Sequence, residues 1–247
     1  MSMLELHGVS RSFGGLAAVD NVTTTFEPGR IVGLIGPNGA GKTTLVNLIT
    51  GVIPLSSGEV RFNGQSLKRI KPYHAAHLGM ARTFQIVQPF NQMDVVDNVA
   101  AALLFSQGGH SPASARAAAL PIIERVGLTP SAHKSAAALT LAMRKRLELA
   151  KAIAIRPKIV FLDEVNAGLN SAEIDQASRL IRELADEGIT IVLIEHLMKV
   201  VMSICSRVIV LQQGRLIADG SPQDIARDPA VIEAYLGKKY LDKRQGQ

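Results

Sequence analysis

The chain has 247 residues, 47% of them apolar and 19% charged, a globular composition that excludes a disordered polypeptide. Its net charge of +6 suits an anionic partner: nucleotide, nucleic acid or an anionic membrane face. Mean hydropathy is positive, but the apolar runs at 189–194 and 208–211 fall far short of the about 20 residues a bilayer crossing needs. Glu5, His7 and Arg11 interrupt any leader-like stretch at the start, so a cytosolic chain is expected. The single cysteine, Cys205, rules out an internal disulfide and reads as a small buried hydrophobe. With no cysteine pair and six scattered histidines, no zinc-ligand spacing is present.

Residues 4–9 alternate apolar and polar, the period of a half-buried strand, and 19–26 reads as a second strand closed by Glu27-Pro28-Gly29. The short apolar run 31–35 predicts a buried strand, and 43–50 a helix stopped by Gly51. Val60-Arg61-Phe62 followed by Asn63-Gly64 predicts a hairpin with a type I′ turn. From about 94 to 149 the chain turns rich in Ala and Leu, with stops at Gly108-Gly109, Pro112 and Gly127. This predicts an insertion of three or four helices, one of them kinked or restarted by Pro121. Beyond it come a strand at 159–162, a helix at 171–186 with Ser171 as N-cap and a strand at 189–194. A short helix at 198–204 and a strand at 208–211 follow, and Gln213-Gly214 then turns the chain into 215–218. Such alternation predicts a mostly parallel sheet with helices on both faces. The polar tail 238–247 is expected to fray.

The sharpest signal stands between the strand 31–35 and the helix that follows it. Gly36-Pro37-Asn38-Gly39-Ala40-Gly41-Lys42-Thr43, continued by Thr44, is a complete G-x-x-x-x-G-K-[ST] phosphate loop in its required context. Glycines let successive N–H groups turn inward around phosphate oxygens, and the helix start adds its own unpaired donors and positive dipole end. Lys42 supplies charge to the β- and γ-phosphates, and Thr43 offers a hydroxyl to magnesium. The partner motif is 159–162 followed by Asp163-Glu164, an apolar strand ending in two carboxylates. Asp163 would support the metal, and Glu164 would orient the attacking water or take its proton.

With these motifs in place the sequence resembles the ATP-binding-cassette (ABC) family from Leu4 to about Gly237. The resemblance implies an α/β P-loop NTPase with a RecA-like core, an antiparallel β subdomain and a helical insertion, working on ATP with Mg²⁺. It puts the core at about 1–88 and 156–225, the helical subdomain at about 89–155, and a C-terminal helix and tail at 226–247. Phe13 matches the aromatic that stacks on adenine, although a buried strand-end phenylalanine is the alternative. Gln85 matches the Q-loop glutamine that reaches the metal and the water, or else is a surface residue at a strand end. His196 matches the switch histidine near the γ-phosphate, or else an ordinary polar residue after a strand. Ala167-Gly168-Leu169-Asn170 matches the D-loop, which crosses to a second subunit.

The signature segment departs from the family's Leu-Ser-Gly-Gly-Gln, reading Leu139-Thr140-Leu141-Ala142-Met143. Thr140 keeps a hydroxyl, Ala142 replaces a glycine where backbone meets phosphate, and Met143 removes an amide. Binding through backbone N–H groups at a helix start survives such changes, so function is expected, with affinity or rate lowered. Val165 replaces the usual proline after Glu164. Arg11-Ser12-Phe13-Gly14-Gly15, Ala81-Arg82-Thr83-Phe84-Gln85, Ile194-Glu195-His196-Leu197 and Ala234-Tyr235-Leu236-Gly237 are similar to the ATP-binding proteins of branched-chain amino acid importers.

That resemblance implies a second ATP-binding subunit, head to tail, as a homo- or heterodimer. It also implies transmembrane permease subunits that hold the pair on the inner face of the membrane and, indirectly, a substrate-binding protein. An exporter or lipid-transport ATPase, and a weakly hydrolysing member of an asymmetric pair, are the alternatives. Residues 86–94, with Phe90 and Met93, would receive a permease helix or form a plain exposed loop. The basic run Arg144, Lys145, Arg146, Lys151, Arg156 and Lys158 reads as a solvated helix face rather than a nucleic-acid site.

Overall fold

A computed structural model describes residues 2–83, 87–106 and 108–236 of the chain. They fall into two compact units, one of Met1–Pro72 with Thr190–Gln247 and one of Tyr73–Ile189. Among the described residues no helix is long and apolar enough to cross a membrane.

The first unit opens with β1 (Leu4–Phe13), β2 (Leu16–Phe26), β3 (Ile31–Ile35), α1 (Lys42–Ile49), β4 (Ser57–Phe62) and the short β5 (Gln65–Ser66). After α2 (Pro72–His77), the second unit carries β6 (Met80–Arg82), α3 (Val95–Leu104), α4 (Pro112–Arg125), α5 (Leu141–Ala154), β7 (Ile159–Asp163) and α6 (Ser171–Asp186). The chain then returns to the first unit with β8 (Thr190–Ile194), α7 (Met198–Ile204), β9 (Arg207–Gln212), β10 (Arg215–Gly220), α8 (Pro222–Ile225) and α9 (Pro229–Leu236).

Two sheets build the first unit. Leu4, Leu6 and Val9 of β1 and Val22 and Phe26 of β2 are fully buried, which fixes one face of the antiparallel order β2-β1-β4-β5. Asn63 and Gly64 join β4 to β5 with φ values of 49° and 77°, the type I′ turn their identities predict. In the other sheet β3 lies between β8 and β9 and runs parallel to both, while β10 closes the edge antiparallel to β9. Every residue of β3 and β8 is buried, so these strands read as unbroken apolar runs instead of alternating ones. Leu34 lies opposite Ile194 and Ile35 opposite Val210, so the carboxyl ends of β3, β8 and β9 come out at one edge. That edge is where an α/β sheet binds its ligands.

In the second unit β6 runs parallel to β7, and α3 packs on α4 and α5 and buries Val95, Val96, Val99 and Leu103. Three sequence expectations need correction here. Of the kink or restart expected at Pro121, the restart does not occur: α4 is one helix from Pro112 to Arg125, and Ala115, Ala119 and Ile123 bury a continuous face on both sides of the proline. Pro112 is no stop but the first helical residue, where a missing N–H costs nothing, behind the Ser111 cap. The N-cap of α6 is Asn170, not Ser171. Asn170 accepts from the Glu173 N–H at 3.0 Å and donates its own N–H to the Glu173 carboxylate at 2.9 Å, a reciprocal capping box.

Candidate functional site

The phosphate loop leaves β3 at the binding edge, and its shape follows from backbone contacts. Gly36 has φ 150°, and a Cβ there would stand 2.1 Å from the Leu211 carbonyl oxygen; one on Gly41 would meet the Ala18 oxygen at 2.4 Å. Only glycine fits either place. Pro37, Asn38 and Gly39 arch over the turn, and Ala40 tucks in beneath it, its carbonyl accepting from Gly214 N at 2.9 Å. The Lys42 side chain is buried and folds back across the loop, Nζ donating to the carbonyls of Gly36 at 2.8 Å and Pro37 at 3.0 Å. Gly39, Ala40, Gly41, Lys42, Thr43 and Thr44 form one wall of a cleft of about 760 Å³, faced by Leu16, Ala18 and Gln213. That volume lies in the range that takes a nucleotide-sized ligand.

Phe13 ends β1 beside this cleft, paired with Leu16 across the hairpin. It is 48% exposed, which excludes the buried strand-end alternative. The Arg11 guanidinium sits 4.8 Å from its ring centre, and Arg11 Nη1 donates to the Pro54 carbonyl at 3.1 Å. His196 follows β8 at the same edge as the phosphate loop, exposed, with Glu195 buried before it. Behind these strands burial pushes the Cys205 thiol up to about 12, with the Glu195 charge adding to the rise, so Cys205 is an inert core residue. Tyr235 of α9 escaped the sequence reading as a site residue. Burial raises its phenol pKa, and a hydrogen bond with the Gly36 backbone opposes the rise, so the C-terminal helix reaches the first residue of the phosphate loop. The run 234–237 stood out only as a subfamily mark, because nothing local in it indicates a contact some 200 residues away.

In the second unit β6 and β7 also end side by side, Arg82 opposite Phe161. Thr83 stitches them together, its N–H donating to Phe161 at 2.9 Å and its Oγ1 accepting from Asp163 N at 3.1 Å. The Asp163 carboxylate is 4% exposed, with Arg82 Nη2 at 4.0 Å. Burial lowers the Arg82 pKa, and the Asp163 charge works against that. Gln85 lies outside the described residues. The Thr43 hydroxyl and the Asp163 carboxylate are hard oxygen donors of the kind magnesium takes, so each residue's chemistry fits that ion.

Glu164 breaks from the strand into a left-handed conformation, φ 50°. For a residue with a Cβ this costs about 1–3 kcal/mol. The compensation comes from α5. Lys145, 9% exposed, donates from Nζ to the Glu164 carbonyl at 2.8 Å and to the Ala167 carbonyl at 2.6 Å. Hydrogen bonds to a charged group are worth about 1.5–3 kcal/mol each, enough together to offset the strain. The signature segment places Leu139 in the core and makes Thr140 the N-cap of α5, its Oγ1 accepting from Met143 N at 3.3 Å. Leu141 is half exposed, its Cδ2 within 2.9 Å of where a Cβ on Gly168 would be; Ala142 is half-buried in the first turn of the helix.

The expected solvated basic face is therefore wrong in its centre. Lys145 is buried, Arg144 wraps the preceding turn through the carbonyls of Ala137 and Leu139, Arg146 binds Gln176 and Lys151 pairs with Glu148. The sequence missed Lys145 because its acceptors are backbone oxygens about 20 positions away, which carry no residue signature.

A phosphate loop at the carboxyl edge of a parallel sheet, an exposed aromatic beside it and a strand ending in paired carboxylates are features of an ATP-binding cassette. The family profile described as ABC transporter matches residues 19–167, and one described as branched-chain amino acid ATP-binding cassette transporter matches 215–240. The chain belongs to the ABC transporter family and is one of its ATPase subunits. It is 40% identical over 254 residues to the high-affinity branched-chain amino acid transport ATP-binding protein BraF of Pseudomonas aeruginosa, covering 96% of this chain and 98% of that one. It is 40% identical over 250 residues to LivG of Escherichia coli, of the same description, with the same coverage. Among solved structures, the ADP conformation of the cassette MJ1267 superposes with a TM-score of 0.85 at 29% identity, over 96% of this chain and all of that one.

Proposed function

We propose that the chain hydrolyses MgATP to drive the import of branched-chain or related amino acids. The observation that carries the reading is the phosphate-loop cleft, whose wall of backbone amides and folded-back lysine suits a triphosphate tail. The cargo class rests on the likeness to BraF and LivG and on the match at 215–240.

In this reading Phe13 stacks on adenine, and the amides of residues 36–44 with the Lys42 ammonium hold the phosphates. A magnesium ion would supply positive charge to offset that of the phosphates. Thr43, Asp163 and Gln85 would hold that ion. Glu164 accepts the proton of the attacking water, and His196 donates a hydrogen bond to the γ-phosphate. Leu139, Thr140, Ala142 and Asn170 serve the nucleotide of a second ATP-binding subunit arranged head to tail, where the N–H groups at the start of α5 face its γ-phosphate. Catalysis is then mainly positioning and charge neutralisation.

A pair of permease subunits would hold the chain at the inner membrane face and contact Phe90 and Met93. Both are exposed, on a turn that the buried Asn98 pins through Phe90 N at 2.8 Å and the Asp94 carbonyl at 2.9 Å. A periplasmic binding protein would deliver the cargo to the permease.

The test compares the purified chain with Glu164→Gln. Nucleotide affinity should stay within about twofold while turnover falls about a hundredfold or more, the usual worth of a general base. Equal turnover in the two proteins would overturn the catalytic assignment. Uptake of labelled leucine by cells lacking the gene tests the cargo: unchanged uptake, with another solute affected, would remove the amino-acid reading and leave the ATPase intact.

A further inference from the structure

Lys145 is where the geometry goes beyond the roles assigned above. It lies four residues after Leu141 on α5, so the two side chains share one helix face. That face meets the segment after β7 twice. Lys145 Nζ holds the oxygens of Glu164 and Ala167 at 2.8 and 2.6 Å, and Leu141 packs where Gly168 has no side chain. Glu164 stands in the left-handed region, and its backbone conformation decides where its carboxylate points. Relaxing to an extended φ would swing the carboxylate to another direction. An ammonium on the Glu164 carbonyl opposes that rotation, because the carbonyl turns with the peptide plane.

We propose that Lys145 is a positioning residue for hydrolysis, which locks the Glu164 peptide so that its carboxylate is aimed, and which ties that aim to the start of α5. The inference rests on Glu164 being the base. It gives the signature helix a mechanical link to the base inside one subunit: a shift of α5 along its axis pulls on the Glu164 and Ala167 carbonyls together. The Lys145 link runs through backbone oxygens, not through the side chains of Leu141, Ala142 or Met143.

The test uses the full-length chain with Lys145→Met, which keeps the length of the stem and removes the donor, and Lys145→Arg, which keeps a cationic donor. Three quantities are read: MgATP affinity by calorimetry, turnover at saturating MgATP, and amide hydrogen exchange across 163–169. Lys145→Met should hold its affinity within about twofold, lose turnover about tenfold or more, and exchange faster at 164–168. Lys145→Arg should recover most of both losses. If Lys145→Met does not fold, Lys145→Gln, with an uncharged donor, takes its place with the same expected direction.

Wild-type turnover in Lys145→Met, or lost turnover with unchanged exchange at 164–168, overturns the proposal; so does an arginine variant that binds MgATP normally yet is as slow as the methionine one. Glu164→Gln separates the two failures. If it is inactive while Lys145→Met is active, only the positioning role falls; if it is active, the base assignment falls and the positioning role with it.

Discussion

The phosphate loop and the stretch from Thr140 to Gly168 are held in place by opposite means. The loop is fixed by its own main chain: Gly36 and Gly41 pass so close to the carbonyls of Leu211 and Ala18 that no side chain fits. The other stretch is fixed by side chains reaching across from α5: the Thr140 cap, the Leu141 contact and the two Lys145 hydrogen bonds around a left-handed Glu164. A site cut into the backbone dictates residue types at set positions, whereas one braced by long side chains tolerates change so long as the brace reaches.

The largest effect should come from Gly36→Ala. A Cβ 2.1 Å from a backbone oxygen cannot be absorbed by a side-chain swing; the cost should be about 3 kcal/mol, read as a lowered denaturation midpoint together with loss of MgATP binding. A variant that melts and binds like the wild type would show that the loop is not set by its backbone. Gly168→Ala is the matched change in the braced region. Its φ of 75° is unfavourable for alanine, but among the described residues the close neighbour is the end of the Leu141 side chain, which can turn away. We expect a loss of about 1–2 kcal/mol with MgATP affinity of the isolated chain unchanged. Equal losses at the two glycines would erase the distinction.

That distinction also marks what was legible in the sequence. The strand 31–35 has the bounds its apolar run predicts, and α1 begins within a residue of the expected start, because buried strands and glycine turns leave local marks. The hairpin at Asn63-Gly64 is readable for the same reason. The α6 cap went to Ser171 because serine is as good a cap as asparagine; only the Glu173 partner, three residues after Asn170, favours the earlier position. Pro121 predicts a kink or a restart because its local cost is plain, while the Ala-Ile face that keeps α4 one helix is a tertiary fact. Lys145 and Tyr235 were out of reach altogether. Each acts on backbone atoms far along the chain, and a backbone acceptor has no letter in the sequence.

The smallest change tests whether Thr140 serves the helix, the nucleotide or both. Its Oγ1 caps the Met143 N–H. Thr140→Ala should therefore cost about 1 kcal/mol of stability and Thr140→Ser almost none, since serine caps as well as threonine. Thr140→Asp separates the roles. A carboxylate caps a helix start well and gains from the dipole, so the midpoint of thermal unfolding should hold or rise slightly. If the α5 start faces the γ-phosphate of a second subunit, the same carboxylate puts a like charge against it, and turnover should fall even as the fold stays intact. A stable, fully active Thr140→Asp protein would mean that Thr140 only caps α5, and that the drifted signature has stopped touching phosphate through this residue.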